Sequence, residues 1–279
     1  MCRIICSFLQ KIFSIKNSTN KKHKIVRLFG IKFQFRIKSI NYIITPKGQM
    51  KFHNKTSTYP VKVKGSNNII KFCWDIKKIP EGLNINIEGD DNYVEIHKCD
   101  FNNVWLYIGN DKNTFILKEQ NTNKVKDVTI DLERGASIYI GKDCELKNGN
   151  LHIIVNGDYK NKHKLVIGDR VHIARDTIIR TSDGQCLIDP QTGLPTDEPE
   201  DVIIGNDVWI MSRCIILKGS IIPDGSAVAA NSLVNKEFTE SNILIAGTPA
   251  RIIKHNIKWA RHSYGSYMEM LETKKHKKG

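Results

Sequence analysis

Residues 204–234 read IGNDVW IMSRCI ILKGSI IPDGSA VAANSL V, a stretch that falls into blocks of six. Each block opens on an aliphatic residue: Ile204, Ile210, Ile216, Ile222, Val228 and Val234. Four residues after each stand Val208, Cys214, Ser220, Ser226, Ser232 and Phe238, small or modest until the last. The same register surfaces upstream at Ile167 and Ile173, with Val171 and Thr177, and at Ile140 and Leu146, with Cys144. A helix repeats every 3.6 residues and a strand every 2, so neither yields six. A period of six fits a triangular solenoid whose aliphatic side chains fill the interior while a small one permits the turn.

Upstream of this register the punctuation loosens. Gly65-Ser66-Asn67-Asn68, Gly89-Asp90-Asp91-Asn92 and Gly109-Asn110-Asp111-Lys112-Asn113 separate short apolar strands at spacings of 24 and 20 residues. Turn chemistry at that interval suggests one solenoid coil per repeat, although hairpins of a meander would look similar. Further back, residues 24–45 alternate as strands with one basic face. Residues 4–13 place Ile4, Ile5, Phe8, Leu9, Ile12 and Phe13 in one stripe, as a short basic amphipathic helix would. Such a helix packs on the protein body or lies on a membrane surface.

With 279 residues, 40% apolar and 26% charged, the chain has the composition of a globular protein with ample core. No run of about twenty apolar residues would span a bilayer, and Met1 to Phe13 lacks the pattern of a signal peptide. Seven scattered cysteines without a CxxC pair fit a reducing cytoplasm and give no zinc-ligand spacing, so no metal is expected. The net charge of +14 is concentrated at one end. Residues 1–74 carry sixteen Lys or Arg and no acid, while the remainder holds 27 bases against 29 acids. A basic field of that kind recruits polyanions or an anionic membrane face. No zinc finger, aromatic RNA-binding motif or helix-turn-helix accompanies it, so nucleic acid is not an expected partner.

Ile204-Gly205-Asn206-Asp207-Val208-Trp209-Ile210, Ile216-Leu217-Lys218-Gly219, Ile222-Pro223-Asp224-Gly225-Ser226 and Ala246-Gly247-Thr248-Pro249-Ala250-Arg251-Ile252-Ile253-Lys254 together resemble the left-handed β-helix, hexapeptide-repeat acetyltransferases. The likeness is to surface-polysaccharide O-acetyltransferases of the maltose and galactoside acetyltransferase type, and it covers roughly residues 165–262. The resemblance implies an all-β chain: a left-handed parallel β-helix over 136–253 with an excursion at 185–203. An irregular β-solenoid over 46–135 would precede it, after a basic segment at 1–45. A capping helix and basic tail over 254–279 would follow.

The resemblance also implies chemistry, namely transfer of acetyl from acetyl-CoA to a sugar hydroxyl in a cytoplasmic homotrimer, held against the inner membrane by its basic end. Relatives use a histidine as base in a loop about two dozen residues before the Trp of the VWI motif. Here that loop is Arg180-Thr181-Ser182-Asp183-Gly184-Gln185-Cys186-Leu187-Ile188-Asp189, and the histidine position falls on Gln185. An amide orients a hydroxyl but does not accept its proton near neutral pH. The candidates to replace it are Asp183 and His172, the latter stacking beneath Trp209 if 185–203 is an insertion. The alternative is a catalytically silent glycan-binding or scaffold protein. For acetyl-CoA, the resemblance assigns Trp209, Ser212 and Ala230 to the pantetheine slot and Lys236, Arg251 and Lys254 to the phosphates. Relatives prefer Gly where Met211 and Asn231 stand.

Overall fold

The computed structural model describes residues 13–17, 23–28, 31–36, 40–52, 60–76, 78–121, 124–146, 149–158 and 160–276. The helix expected at residues 4–13 lies outside the described residues apart from Phe13, which opens a strand. Phe13–Asn17, His23–Leu28 and Ile31–Arg36 form an antiparallel three-stranded sheet.

From Asn41 onward the chain winds into a parallel solenoid. Successive strands on each face pair with the strand one coil away: Leu83–Glu88 with Asp100–Gly109, Tyr93–Ile96 with Thr114–Leu117, Trp209–Ile210 with Ala227–Val228. Parallel pairing decides between solenoid and hairpin, since hairpin strands would run antiparallel. The first face carries eight strands, from Val61–Lys64 to Leu233–Val234. The second carries nine, closed at its start by the antiparallel pair Asn41–Thr45 and Gly48–Phe52. A third face begins at His172–Ile173 and makes the coils triangular from there on.

Every hexad aliphatic from Ile204 to Val234 is fully buried, as are Ile140, Ile167 and Ile173. Each such side chain is worth about 1.5–3 kcal/mol when removed from water. Val208, Cys214, Ser220, Ser226 and Ser232 are buried at the corners, where a larger side chain would strike the next coil. The corner glycines answer to the same crowding. A Cβ on Gly168 would lie 2.7 Å from Gly205 carbonyl atoms, and one on Gly205 would lie 2.7 Å from the Asp224 nitrogen.

The looser front coils have a different staple. Asn68 donates through its backbone N–H (3.0 Å) and Nδ2 (2.9 Å) to Asn41 Oδ1. Asn92 does the same to Asn68 Oδ1 (3.0 Å each), and Asn113 to Asn92 Oδ1 (2.9 Å each). All four side chains are buried. The ladder ends where Ala136 N–H donates to Asn113 Oδ1 at 3.1 Å, because alanine has no amide to pass it on. The coil lengths along this ladder are 27, 24, 21 and 23 residues, so the repeat aligns on the asparagines; Gly89 packs against Asn110, not against Gly109.

The C-terminal helix, Tyr264–His276, is present. Its residues 264–274 are exposed apart from half-buried Met270, so it covers no open end of the solenoid. The last coil is closed by buried Phe238 and by the antiparallel strands Leu244–Gly247 and Ala250–Lys254. A helix without an apolar face has little to bury there.

The ladder makes a quantitative prediction. Asn92→Ala removes the acceptor of the buried Asn113 backbone N–H and leaves Asn68 Oδ1 with the backbone donor alone, and unfolding in denaturant should register a loss of about 1–3 kcal/mol. Lys62→Ala, on the exposed side of the same coils, should cost less than about 0.5 kcal/mol. Equal effects would mean the ladder contributes nothing special.

Candidate active site

The three-cornered coil distributes the sequence candidates over two of its edges and one face. On the third face His172 pairs in register with Trp209, and Trp209 with Ala227. Insertion of residues 181–201 between two strands leaves that register intact, so His172 does stack one coil beneath Trp209. Its Nδ1 lies 3.2 Å from Glu145 Oε2, and both side chains are mostly buried. Glu145 forms a parallel bridge with His172, so a hexad position one coil earlier supplies the carboxylate.

A third aromatic completes the group. Trp259, from the segment after the last strand, has its ring centroid 5.8 Å from that of Trp209 and 6.3 Å from that of His172. The His172 ring stands nearly perpendicular to the Trp259 indole, which donates to the Asp207 carbonyl. Arg261 then donates to the Asp143 carbonyl at 2.8 Å, fastening this segment two coils back along the solenoid. Arg170 clasps Asp207 with two hydrogen bonds, 2.8 and 2.7 Å, which hold the Asp207 carboxyl below its ordinary range. Beside this cluster, Arg170, Asp207, Asp224, Asn242, Trp259 and Arg261 line an open groove of about 620 Å³ that His172 and Trp209 do not line.

The edge that follows the third face carries Ser212 and Ala230. Arg213 N–H donates to the Arg175 carbonyl and Asn231 N–H to the Ser212 carbonyl, so these corners stack coil on coil. Arg213 and Asn231 have φ of 59°, a left-handed conformation that Asn tolerates better than most residues. Thr248 Oγ1 donates to the Asn231 carbonyl at 3.2 Å, and the Arg251 guanidinium folds onto the Ala250 carbonyl at 2.9 Å. Arg251 and Lys254 are exposed on the terminal strand beside this edge.

Asp183, Gln185 and Lys236 belong to the edge between the first and second faces. Asp183 pairs with Lys218 at 2.7 Å. Lys236 follows Val234, whose carbonyl accepts from Leu217 N–H, so it stands one coil above Lys218; its ammonium lies 5.1 Å from the Phe238 ring centroid. Gln185 is exposed on the excursion, which leaves after Arg180 and rejoins at Val202. Its outer part is a small hairpin: Asp189 N–H donates to the Leu194 carbonyl, and Ile188 bridges Pro195. Leu187, Ile188 and Leu194 are all exposed on it. Within one chain, then, Gln185 and Lys236 do not meet Ser212, Ala230 and Arg251; one solenoid face separates them.

The thiols offer no alternative nucleophile on the solenoid interior. Burial pushes Cys144 and Cys99 up to about 12, and raises Cys214 as well, leaving all three protonated at neutral pH. Cys73, Glu95 and His97 approach one another closely enough to suggest metal ligands. Lys71 (2.9 Å) and Lys118 (3.3 Å) already occupy the Glu95 carboxylate, with Tyr93 Oη at 2.6 Å and His97 Nε2 at 2.8 Å. Two ammonium groups in that position repel a cation, and the cluster is better described as a structural ion-pair network. Trp259, Glu145 and Arg261 escape sequence reasoning; the outward hexad position that Glu145 shares with His172 is a signal that could have found it, and nothing local indicates the other two.

A parallel β-helix with six-residue register, a Trp-bearing third face and this stacked corner defines a hexapeptide-repeat acyltransferase. No protein-family model matches the chain. It is 34% identical over 174 residues to a polysialic acid O-acetyltransferase of Neisseria meningitidis, covering 60% of this chain and 80% of the relative. A polysialic acid O-acetyltransferase of Escherichia coli O1:K1 / APEC is 31% identical over 128 residues, 46% of this chain, and there the chain spans only 39% of the relative's length. The crystallographic structure of the polysialic acid O-acetyltransferase OatWY superposes with a TM-score of 0.59 at 27% identity, over 67% of this chain and 86% of that one. The chain belongs to the hexapeptide-repeat O-acetyltransferases.

The ion-pair network carries its own pH signature. Burial pushes the Glu95 carboxyl up, but hydrogen bonds from Tyr93, Lys71, His97 and Lys118 outweigh it and hold the group well below its ordinary 4.5. The resulting stabilisation is complete above about pH 4.5 and is lost as pH falls below that value. Glu95→Gln should therefore lower Tm by about 2–6 °C at pH 7, with the gap to the native chain closing in thermal scans as pH drops toward 3. A gap that stays constant with pH would show that the charge on Glu95 is not what stabilises these coils.

Proposed function

We propose that this protein transfers an acetyl group from acetyl-CoA to a hydroxyl of a surface glycan, with an acidic glycan of the polysialic acid kind as the first acceptor to try. The acceptor class comes from the relatives, which act on polysialic acid by their names. The observation that carries the mechanism is the His172–Glu145 pair directly beneath Trp209. In this reading Glu145 orients the imidazole through Nδ1, and His172 accepts the proton of the sugar hydroxyl. The alkoxide attacks the thioester carbonyl carbon. The tetrahedral intermediate then collapses, and the CoA thiolate leaves with the proton returned from His172.

Ser212 and Ala230 would line the pantetheine arm, with Arg251 and Lys254 toward the nucleotide phosphates. Asp183, Gln185 and Lys236 stand a face away, about 15 Å of extended chain. In our reading they act on the Ser212 edge of a neighbouring subunit, which makes the working unit a homotrimer. The exposed Leu187, Ile188 and Leu194 are then the apolar surface that a neighbour covers. Gln185, delivered across that interface, orients the acceptor hydroxyl without accepting its proton, and Asp183 stays tied to Lys218. Among the described residues no helix is long and apolar enough to cross a membrane. The basic first 74 residues suit a cytoplasmic protein resting against an anionic inner-membrane surface.

A second reading rests on Gln185 itself: a silenced transferase that binds glycan. Thiol release from acetyl-CoA with polysialic acid separates the two. His172→Ala should cut turnover by about 10²–10⁴ if the His172–Glu145 pair is the base, and an unchanged rate removes that assignment. Release by Gln185→His alone, with none by the native chain, would favour the silenced transferase. Leu187→Asp with Leu194→Asp should convert a trimer into monomers in light scattering and abolish turnover; an intact trimer would dismiss the interface.

A further inference from the structure

The first face of the solenoid presents two aromatic rings to solvent, well before the coils that carry the candidate active site. Trp105 and Tyr107 sit on one strand, Asp100–Gly109, and point outward together. They are 39% and 36% exposed, with ring centroids 5.8 Å apart and planes only 7° from parallel. On a strand of this kind the outward positions of neighbouring coils are polar, and a large exposed aromatic pair is an anomaly to be explained.

The pair is held in place. Trp105 Nε1 donates to Asn103 Oδ1 at 3.1 Å, and Asn103 Nδ2 donates to Asp127 Oδ1 at 2.8 Å. The indole is therefore fixed before any ligand arrives, which lowers the entropic cost of binding. Around the rings the register places short polar groups at similar height. Asn84 and Asn86 lie on the coil before, Thr129 and Asp131 on the coil after, with His152 held to Asp131 at 2.7 Å beyond them. A parallel aromatic stack ringed by amide, hydroxyl and carboxylate groups matches a pyranose, whose apolar C–H face packs on a ring and whose hydroxyls meet the polar rim.

The register also gives this platform a direction. Trp105 is followed coil by coil by Thr129, His152, Ile178 and Ile215; Tyr107 by Asp131, Ile154 and Arg180. Arg180 is the last residue before the excursion that bears Asp183 and Gln185, and its guanidinium is fixed to the Ser182 carbonyl at 2.7 Å. Three strand spacings, about 14 Å, separate the aromatic pair from that point. That is the reach of a few sugar units.

We infer that Trp105 and Tyr107 form a secondary carbohydrate-binding platform that holds a distal part of a polymeric glycan while another part of the same chain lies at the excursion. This rests on the reading of the acceptor as a glycan polymer, and it adds that chain length is sensed on the first face. Two sites on one polymer raise the effective concentration of the acceptor at the second.

The test uses the full chain, with Trp105→Ala/Tyr107→Ala beside the native protein. Its probes are fluorescently labelled long polysialic acid and a short sialic oligomer. Equilibrium binding of the long polymer should weaken about tenfold, with binding of the short oligomer unchanged. KM for the long polymer should rise in parallel at constant kcat. Asn103→Ala, which frees the indole but keeps both rings, should weaken long-polymer binding about threefold, guarding against a folding defect in the double variant. Unchanged binding of the long polymer overturns the inference, as does failure of the native chain to bind it. A change in oligomeric state of the double variant also overturns it, assigning the face to a second copy of the chain. Absence of thiol release with binding lost as expected would refute acetyl transfer alone and leave the platform standing.

Discussion

Coil-to-coil hydrogen bonding in register is the constraint on which this molecule depends. Between the antiparallel pairs at its two ends, each solenoid strand pairs with the strands one coil above and below, so the backbone is satisfied only if successive coils stay in register at the corners. Two devices enforce the match. In the later coils it is the buried aliphatic and small-residue hexad, with glycines where a Cβ would strike the next turn. In the earlier coils, where lengths vary, the ladder of Asn41, Asn68, Asn92 and Asn113 fastens one corner while the others drift. Loss of a member disturbs two steps of such a ladder, because the Asn41, Asn68 and Asn92 oxygens each take two donors from the next.

That constraint decides where chemistry can reside. A side chain on an outward hexad position meets its counterpart in the next coil at the strand spacing, so a column of residues distant in sequence becomes one surface. Glu145, His172 and Trp209 make such a column on the third face. Ser212, Asn231 and Thr248 make another along the adjoining edge. Irregularity is admitted only where it leaves the register untouched, which is why a twenty-residue excursion fits between Arg180 and Val202 and why Trp259 and Arg261 are added from outside.

Much of this was legible in the residues. The period of six gave the interior positions one by one, and with the excursion set aside it placed His172 under Trp209. The Gly and Asn punctuation indicated coils, though it aligned the third repeat on Gly109 where the asparagines align it on Asn113 and set Asn110 beside Gly89. The C-terminal helix was legible as a helix, but the capping role expected for it is not what the structure shows, since that role depends on what the helix buries. For the site, the motif residues were found, yet their division between two edges was invisible: a linear motif does not say which corner of a triangle it turns.

The sequence by itself determined the solenoid, its inward residues and the glutamine at position 185, because periodicity and residue identity are local properties. Only the tertiary structure decided which outward residues share a column. It turned Glu145 toward His172, brought Trp259 onto both rings and set Asp183, Gln185 and Lys236 one face away from Ser212. It also laid Trp105 and Tyr107 on the same face as Arg180. Those proximities arise from coils stacked about 4.8 Å apart, a distance fixed by backbone hydrogen bonds between residues some twenty to forty positions apart in the chain.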